Sequence, residues 1–269
     1  LHYLALAQKA GVPVRIAHSH NTELRKSPAR PLKLALHRWA RGAYRDVMTH
    51  RWACSTPAAR FLFGDTSEWT FIPNGIDVER FRFDPVVREQ VRAELGLDGK
   101  LVIGNVGRLC YQKNQAFLLE VFREVQRQRP ESVLLLVGEG EGRPALEERM
   151  RVLGLEKNVI FYGTTDRVER LYWAMDVFAF PSRFEGLGIA AVEAQAAGLP
   201  AVCSEDVPPE ARMTELATEL PLSAGARSWA ETLLNEKPPA DRAAAADEVS
   251  AAGFDVAVVA REIKSLWMG

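Results

Sequence analysis

The chain has 269 residues, 47% of them hydrophobic and 26% charged, with a formal net charge of −1. That length suffices for two α/β layers with proper cores, and the near-neutral balance gives no global case for nucleic acid as a partner. The three cysteines, Cys54, Cys110 and Cys203, are few, odd in number and without metal-site spacing, which fits a reducing cytosol; no apolar run approaches the roughly 18 residues that span a bilayer, and no signal peptide is read.

In chain order, residues 1–10 show helical spacing of apolar residues and stop at Gly11, a natural C-cap. The chain thus opens inside a helical pattern, and an N-terminal truncation is expected. Residues 12–17 read as a short strand, followed by the polar loop His18-Ser19-His20-Asn21. Residues 31–44 read as a basic helix started by Pro31. A strand is predicted at 50–54 and a short helix at 57–63, capped by Ser55 or Thr56. Another strand at 70–72 runs into the turn Pro73-Asn74-Gly75.

From Leu101 a clearer rhythm begins. Strands are predicted at 101–106, 133–137, 159–162, 177–180 and 201–203, with helices at 115–129, 144–153, 168–175 and 187–197 between them. Short apolar runs alternating with amphipathic helices predict a parallel, doubly wound sheet. A Pro/Ala/Asp-rich stretch at 237–247 follows the apolar segment 229–234, and a last helix is read at 254–267. The expected organisation is two Rossmann-like units, the first (1–68) incomplete and the second (69–236) whole, then a linker and helix (237–269) packing back towards the first.

Ligands in open α/β sheets bind beyond the C-terminal ends of the strands. Two loops there carry chemistry. Gly107-Arg108-Leu109-Cys110-Tyr111-Gln112-Lys113-Asn114 offers a guanidinium fork and an ammonium suited to a diphosphate, or else two solvated cations. In Pro181-Ser182-Arg183-Phe184-Glu185-Gly186-Leu187-Gly188, the glycines let backbone N–H groups approach an anion at a helix N-terminus. Glu185 is read before that helix and Glu193 two turns into it, where neighbouring Ala and Val favour a pocket over a solvated face. Gly138-Glu139-Gly140 and Gly163-Thr164-Thr165 also follow strands. Alone they are turn signals, but Thr164 and Thr165 are placed to sit beside a base.

Together, Glu185-x7-Glu193, Gly107-Arg108 with Lys113, and Asn74-Gly75-Ile76-Asp77 resemble the motifs of glycosyltransferase family 4, which has the GT-B fold. The loop His18-Ser19-His20-Asn21, Phe63-Gly64, Gln112-Lys113-Asn114 and the run from Glu193 to Pro200 look more like the bacterial exopolysaccharide and capsule enzymes. The resemblance implies a retaining, metal-independent transferase that uses a nucleotide-diphosphate sugar, with uridine the preferred base, and needs no other cofactor. By resemblance, Arg108 and Lys113 hold the diphosphate, Glu193 takes the ribose hydroxyls, and Glu185 contacts the transferred sugar. Gly107, Gly163, Thr164, Gly186, Leu187 and Gly188 complete the donor site. A histidine from the first unit reaches the sugar; the candidates are His20, which is favoured, and His18. No Asp-x-Asp occurs, so no metal site is expected. The family's opening strand and Gly-rich loop are not matched.

Arg25, Lys26, Arg30, Lys33, Arg38, Arg41, Arg45 and Arg51 face a single acid, Asp46, between positions 25 and 51, with Trp39 and leucines interleaved. This reads either as a solvated helix face or as an attachment to anionic lipid at the inner face of the cell membrane, near a lipid-linked saccharide acceptor. Three functional readings stay open: a transferase that extends a polysaccharide, a non-catalytic nucleotide-sugar-binding or docking module, or a different GT-B enzyme such as a nucleotide-sugar epimerase or a phosphorylase, though the phosphorylases' cofactor-bearing lysine is not seen.

Overall fold

A computed structural model describes residues 2–23, 28–65 and 68–268. The elements are α1 (His2–Lys9), β1 (Ile16–Ser19), α2 (Arg30–Ala43), β2 (His50–Ala53), α3 (Thr56–Phe63), β3 (Thr70–Phe71), α4 (Val78–Phe81), α5 (Pro85–Glu94), β4 (Val102–Val106), α6 (Gln115–Gln128) and β5 (Val133–Val137). They continue with α7 (Arg143–Leu153), β6 (Val159–Gly163), α8 (Val168–Ala174), β7 (Val177–Phe180), α9 (Ile189–Ala196), β8 (Ala201–Cys203), β9 (Ala217–Glu219), α10 (Gly225–Asn235), α11 (Ala245–Val249) and α12 (Val256–Met268). None of the described helices is long and apolar enough to cross a membrane.

All strand pairings are parallel. They form a three-stranded sheet of order β1-β2-β3 and a six-stranded sheet of order β6-β5-β4-β7-β8-β9. The second sheet is covered on both faces, which explains its continuous apolar runs. Side chains alternate across it. Val133, Leu135 and Val137 join a core with α8, α9 and α11, whereas Leu134 and Leu136 join a second core with α6, α7 and α10.

Several elements lie outside the predicted set. Asp77 caps α4 by accepting from the Arg80 N–H at 3.2 Å. Asp84 accepts from the Val86 and Val87 N–H groups at 2.9 and 3.1 Å, with Pro85 in the first turn of α5. These are ordinary start signals for helices too short or too polar to show a strong period. β9 is a three-residue edge strand, too short for a periodic signal. Residues 237–247 bury Arg242 and Ala246. The strand β1 runs through His18 and Ser19, so His18 is a strand residue and not a loop residue, contrary to expectation.

The two sheets meet through specific joints. Gly75 lies so close to α12 that a Cβ on it would sit 2.8 Å from the Val256 Cα. Ile76 pairs with Asp255, donating to the Phe254 carbonyl and accepting from the Val256 N–H, both at 2.8 Å. α12 then places Val259 and Ile263 against Trp52 and Ile72 of the first sheet. Thr56, at the start of α3, donates from its N–H and hydroxyl to Glu210 Oε1 at 2.7 and 2.6 Å, a carboxylate on a helix N-terminus.

Candidate donor site at the strand-order switch

Within the six-stranded sheet, β4 has β5 on one side and β7 on the other. Chain connections diverge at this point, and a crevice opens beyond the carboxyl ends of β4 and β7. The loops 107–114 and 181–188 form its walls. They are stitched together by Arg183 N–H donating to the Gln112 carbonyl at 2.8 Å, Gln112 Nε2 donating to the Phe184 carbonyl at 3.0 Å, and Arg183 Nη2 donating to Asn114 Oδ1 at 2.8 Å. Asn114 takes a left-handed conformation (φ 57°, ψ 34°) before α6, which asparagine tolerates better than most residues.

Lys113 and Glu185 meet in this crevice. Lys113 Nζ lies 2.7 Å from Glu185 Oε1 and 4.6 Å from the centroid of the Phe180 ring. An ammonium has three donors, so two remain after Glu185 takes one. Glu185, 6% exposed, also accepts from Gln112 Nε2 at 3.3 Å through Oε2. Arg108 is exposed, and no described residue partners its guanidinium. It lines a cleft of about 560 Å³ together with Asn21, Tyr111, Gln112, Phe184 and Gly186.

Glu193 stands one turn into α9, which begins at Ile189, so it is nearer the loop than a helix starting at 187 predicts. Its carboxylate accepts from the Tyr172 hydroxyl at 2.8 Å. Burial raises its pKa, while Tyr172, Arg80 and Lys113 pull it back down. Gly188 takes φ 101°, a left-handed conformation ahead of α9, and Leu187 is buried beneath the loop. The N–H groups of Gly186, Leu187 and Gly188 have no backbone partner among the described residues.

The first sheet touches this loop directly. A Cβ on Gly186 would fall 1.9 Å from the His20 carbonyl oxygen, so only glycine fits there. The Gly186 carbonyl accepts from the Ser55 hydroxyl and from Cys54 Sγ, the latter at 3.5 Å, and Thr22 Oγ1 donates to the Glu185 carbonyl at 3.0 Å. Burial pushes the Cys54 thiol up to about 11, so it stays protonated and able to donate at neutral pH. The rings of His18 and His20 lie 4.0 Å apart between centroids. Burial, then the nearby His20, pushes His18 down to about 4, against a raising hydrogen bond to the Ile72 backbone. It is therefore neutral at physiological pH, and its Nε2 is buried with no partner among the described residues. His20 is exposed and its backbone borders the Glu185–Gly188 loop.

Comparison with known proteins is decisive at this point. Residues 87–217 match the family model for glycosyl transferases group 1. That segment is similar to the group 1 glycosyl transferases. It is 36% identical over 238 residues to EpsF, a protein of Bacillus subtilis (strain 168) named as a glycosyltransferase, covering 86% of this chain and 62% of EpsF. It is 32% identical over 206 residues to a GDP-mannose-dependent alpha-(1-6)-phosphatidylinositol monomannoside mannosyltransferase of Mycolicibacterium smegmatis, covering 73% of this chain and 53% of that protein. The chain thus spans less than two thirds of either relative. Its fold matches the crystal structure of Anabaena Alr3699/HepE in complex with UDP, with a TM-score of 0.82, 22% identity, and coverage of 99% of this chain and 75% of that one. The α/β fold with parallel sheets is that of the GT-B glycosyltransferases.

The predicted site residues fall into two sets. Arg108, Lys113, Glu185, Gly186, Leu187, Gly188 and His20 gather along the 107–114 and 181–188 loops. Gly163 and Thr164 lie farther along the sheet edge. Gly163 (φ 86°) accepts from the Gly138 N–H at 2.8 Å, and Thr164 is exposed. Gly107 (φ 151°) lets the loops after β4 and β5 interlock, since a Cβ on Gly138 would lie 2.2 Å from its carbonyl oxygen. Lys113 and Glu185, expected as separate ligand contacts, bond to one another. Tyr172, Ser55, Cys54 and Arg80 escaped the sequence reading as site neighbours. Ser55 was half visible as a cap: its hydroxyl accepts from the Ala58 N–H at 3.2 Å while donating to Gly186.

Proposed function

We propose that this chain forms the donor-binding part, with a share of the acceptor side, of a retaining glycosyltransferase. It would move a sugar from a nucleotide-diphosphate sugar to a lipid-linked or polysaccharide acceptor in exopolysaccharide or capsule synthesis. The observation that supports the reading is that an unpaired Arg108 and a Lys113 with two free donors sit on the loop after β4, beside the loop after β7 that leads to an anchored Glu193. Arg108 and Lys113 with the Gly186–Gly188 backbone take the diphosphate, Glu193 the ribose, and Glu185 the sugar. Charge that builds on the leaving diphosphate is met by the two cations, and the sugar passes through an oxocarbenium-like state. His20 borders the sugar position. His18, neutral and half-buried, packs its ring against that of His20. Uridine is supported by the UDP of the similar Anabaena structure, while the mycobacterial relative's name specifies GDP-mannose. The reading divides the chain at 1–68, 69–236 and 237–269.

A cytoplasmic place at the inner face of the membrane belongs to the same proposal. On α2, Leu32, Leu36 and Trp39 are 74%, 60% and 62% exposed, one stripe at helical spacing beside Lys33, Arg38 and Arg45. Arg41 is already used: it donates to the Arg60 and Phe61 carbonyls, both at 3.3 Å. Arg25 and Lys26 lie outside the described residues. Flotation with anionic vesicles tests this placement. Binding unchanged by Lys33→Glu, Arg38→Glu and Arg45→Glu together would remove it.

The transfer reaction is tested by measuring UDP or GDP release from a panel of nucleotide sugars with a lipid extract. Release expected with one donor should fall at least tenfold in Arg108→Ala. Donor binding without turnover, in a protein spanning the full length of its relatives, would refute transfer and leave a binding module.

A further inference from the structure

The Glu193 carboxylate is held asymmetrically. Oε2 accepts from the Tyr172 hydroxyl at 2.8 Å. Oε1 accepts from no described residue and is not among the atoms sealed from solvent without a partner. Tyr172 is wholly buried, its ring set between those of Phe81 and Phe178 at centroid distances of 5.8 and 5.6 Å. Its single proton has one other acceptor within reach, the Ala190 carbonyl at 3.1 Å.

The pair rests on a braced support. The Arg242 guanidinium donates to the carbonyls of Tyr172, Met175 and Ala197 at 3.3, 3.2 and 3.0 Å. It thereby ties the C-terminal ends of α8 and α9, where cations are favoured. Burial pushes Arg242 down to about 9, so it remains charged at neutral pH. Arg88 donates to the Trp173 and Met175 carbonyls at 2.6 and 2.8 Å and reinforces the same end of α8.

We propose that Tyr172 is a positioning residue for the nucleotide: by anchoring one oxygen of Glu193, it aims the other into the crevice as an acceptor for a ribose hydroxyl. The inference rests on the donor-site reading above and adds to it a phenol that no motif spacing marks. Without the phenol the carboxylate loses a donor that stabilises its ionised form. The charged and titratable groups that face it are Tyr172 from α8, Arg80 from α4 and Lys113 from the loop after β4; α9 contributes no other. Nucleotide binding should then fail at a higher pH as solutions are acidified, because a protonated carboxyl accepts fewer hydrogen bonds.

The test is calorimetric titration of the full chain and its Tyr172→Phe variant, using whichever of UDP or GDP the wild type binds. Each is repeated with the dideoxy analogue lacking both ribose hydroxyls, from about pH 5.5 to about pH 8.5. The expected result is about tenfold weaker binding of the ribonucleotide, unchanged binding of the dideoxy analogue, and an acid limb displaced to higher pH. In a Glu193→Gln background, Tyr172→Phe should cost less than about twofold. Equal weakening of both nucleotides, additive losses in the double variant, or no loss at all would each overturn the inference. Fluorotyrosine at position 172 keeps the hydroxyl and the fold. Its fluorine resonance should move on adding the ribonucleotide but not the dideoxy analogue, and the absence of that difference also overturns the proposal. A wild-type chain that binds neither UDP nor GDP would bring down the donor-site reading itself.

Discussion

The two sheets use the same βα grammar but are stabilised differently. In the six-stranded sheet, β5, β7 and β8 are buried along their whole length, and helices close both faces. In the three-stranded sheet, α1 and α2 bury no residue, and Tyr3, Leu32 and Trp39 are 84%, 74% and 62% exposed. Its order depends on joints to the rest of the chain: α12 against Trp52 and Ile72, Glu210 on the start of α3, and Gly186 against His20, Cys54 and Ser55. The second sheet therefore has one core of its own, with α6, α7 and α10, and shares the other with Ala17, Ala53, Cys54 and Phe63. The first sheet is joined to the second by that shared core and by a few specific contacts, of which Gly186 against His20, Cys54 and Ser55 lies at the crevice. Placement of His20 is thereby coupled to the shape of the donor loop.

That contrast can be broken from either side. The largest effect is expected in the second sheet's own core. Phe122 is fully buried between sheet and helices, and Phe122→Ala should cost about 4 kcal/mol and lower the melting temperature of the whole chain, read by thermal unfolding. A substitution at the joint should loosen the contact between the two sheets and damage activity. Gly186→Ala places a methyl group against the His20 carbonyl oxygen, and moving the loop by about 1 Å should reduce transfer about hundredfold, read as nucleotide release. A Gly186→Ala enzyme with normal turnover would mean that the two halves are not coupled through this contact.

Ser55→Ala removes both a helix cap and a donor to the Gly186 carbonyl. A loss of about 1 kcal/mol is expected, with faster proteolysis in residues 2–71 than in 87–217. The smallest effect has the opposite sign. Burial raises the Glu193 pKa, so the folded chain binds a proton that the unfolded chain has released between the ordinary glutamate value and the raised one. Stability then falls as pH rises through that window. Glu193→Gln should raise the melting temperature at pH 7 by about 2 °C, with the gain vanishing as pH is lowered to the ordinary glutamate value, while nucleotide binding weakens. A melting temperature unchanged at pH 7 would show that the carboxylate carries no burial penalty.

The residues differ in how far their places could be read in advance. Arg108, Lys113, Glu185 and Glu193 stand out in the sequence because each sits in a motif that follows a strand. Motif position also puts them at the carboxyl edge of a parallel sheet. The strands at 133–137, 177–180 and 201–203 were legible because strands buried on both faces must be apolar throughout. α4, α5 and β9 were not, since two are too short to establish a period and α5 carries charge on its outer face. His18 and His20 look equivalent as letters two apart in one loop. The structure separates them, one within β1 and neutral, the other exposed beside the donor loop.

By itself, then, the order of residues determined the elements and the charged groups at their ends, because periodicity, capping and the alternation of strand and helix are local properties. Tertiary structure alone decided what those groups meet. Tyr172 and Glu193 are separated by a strand and a loop, and only the packing of α8 on α9 brings a phenol to a carboxylate. Lys113 and Glu185 are joined because β4 and β7 are neighbours in the sheet though not in the chain. Gly186 must be glycine because a backbone carbonyl far away in sequence occupies the space where a side chain would stand.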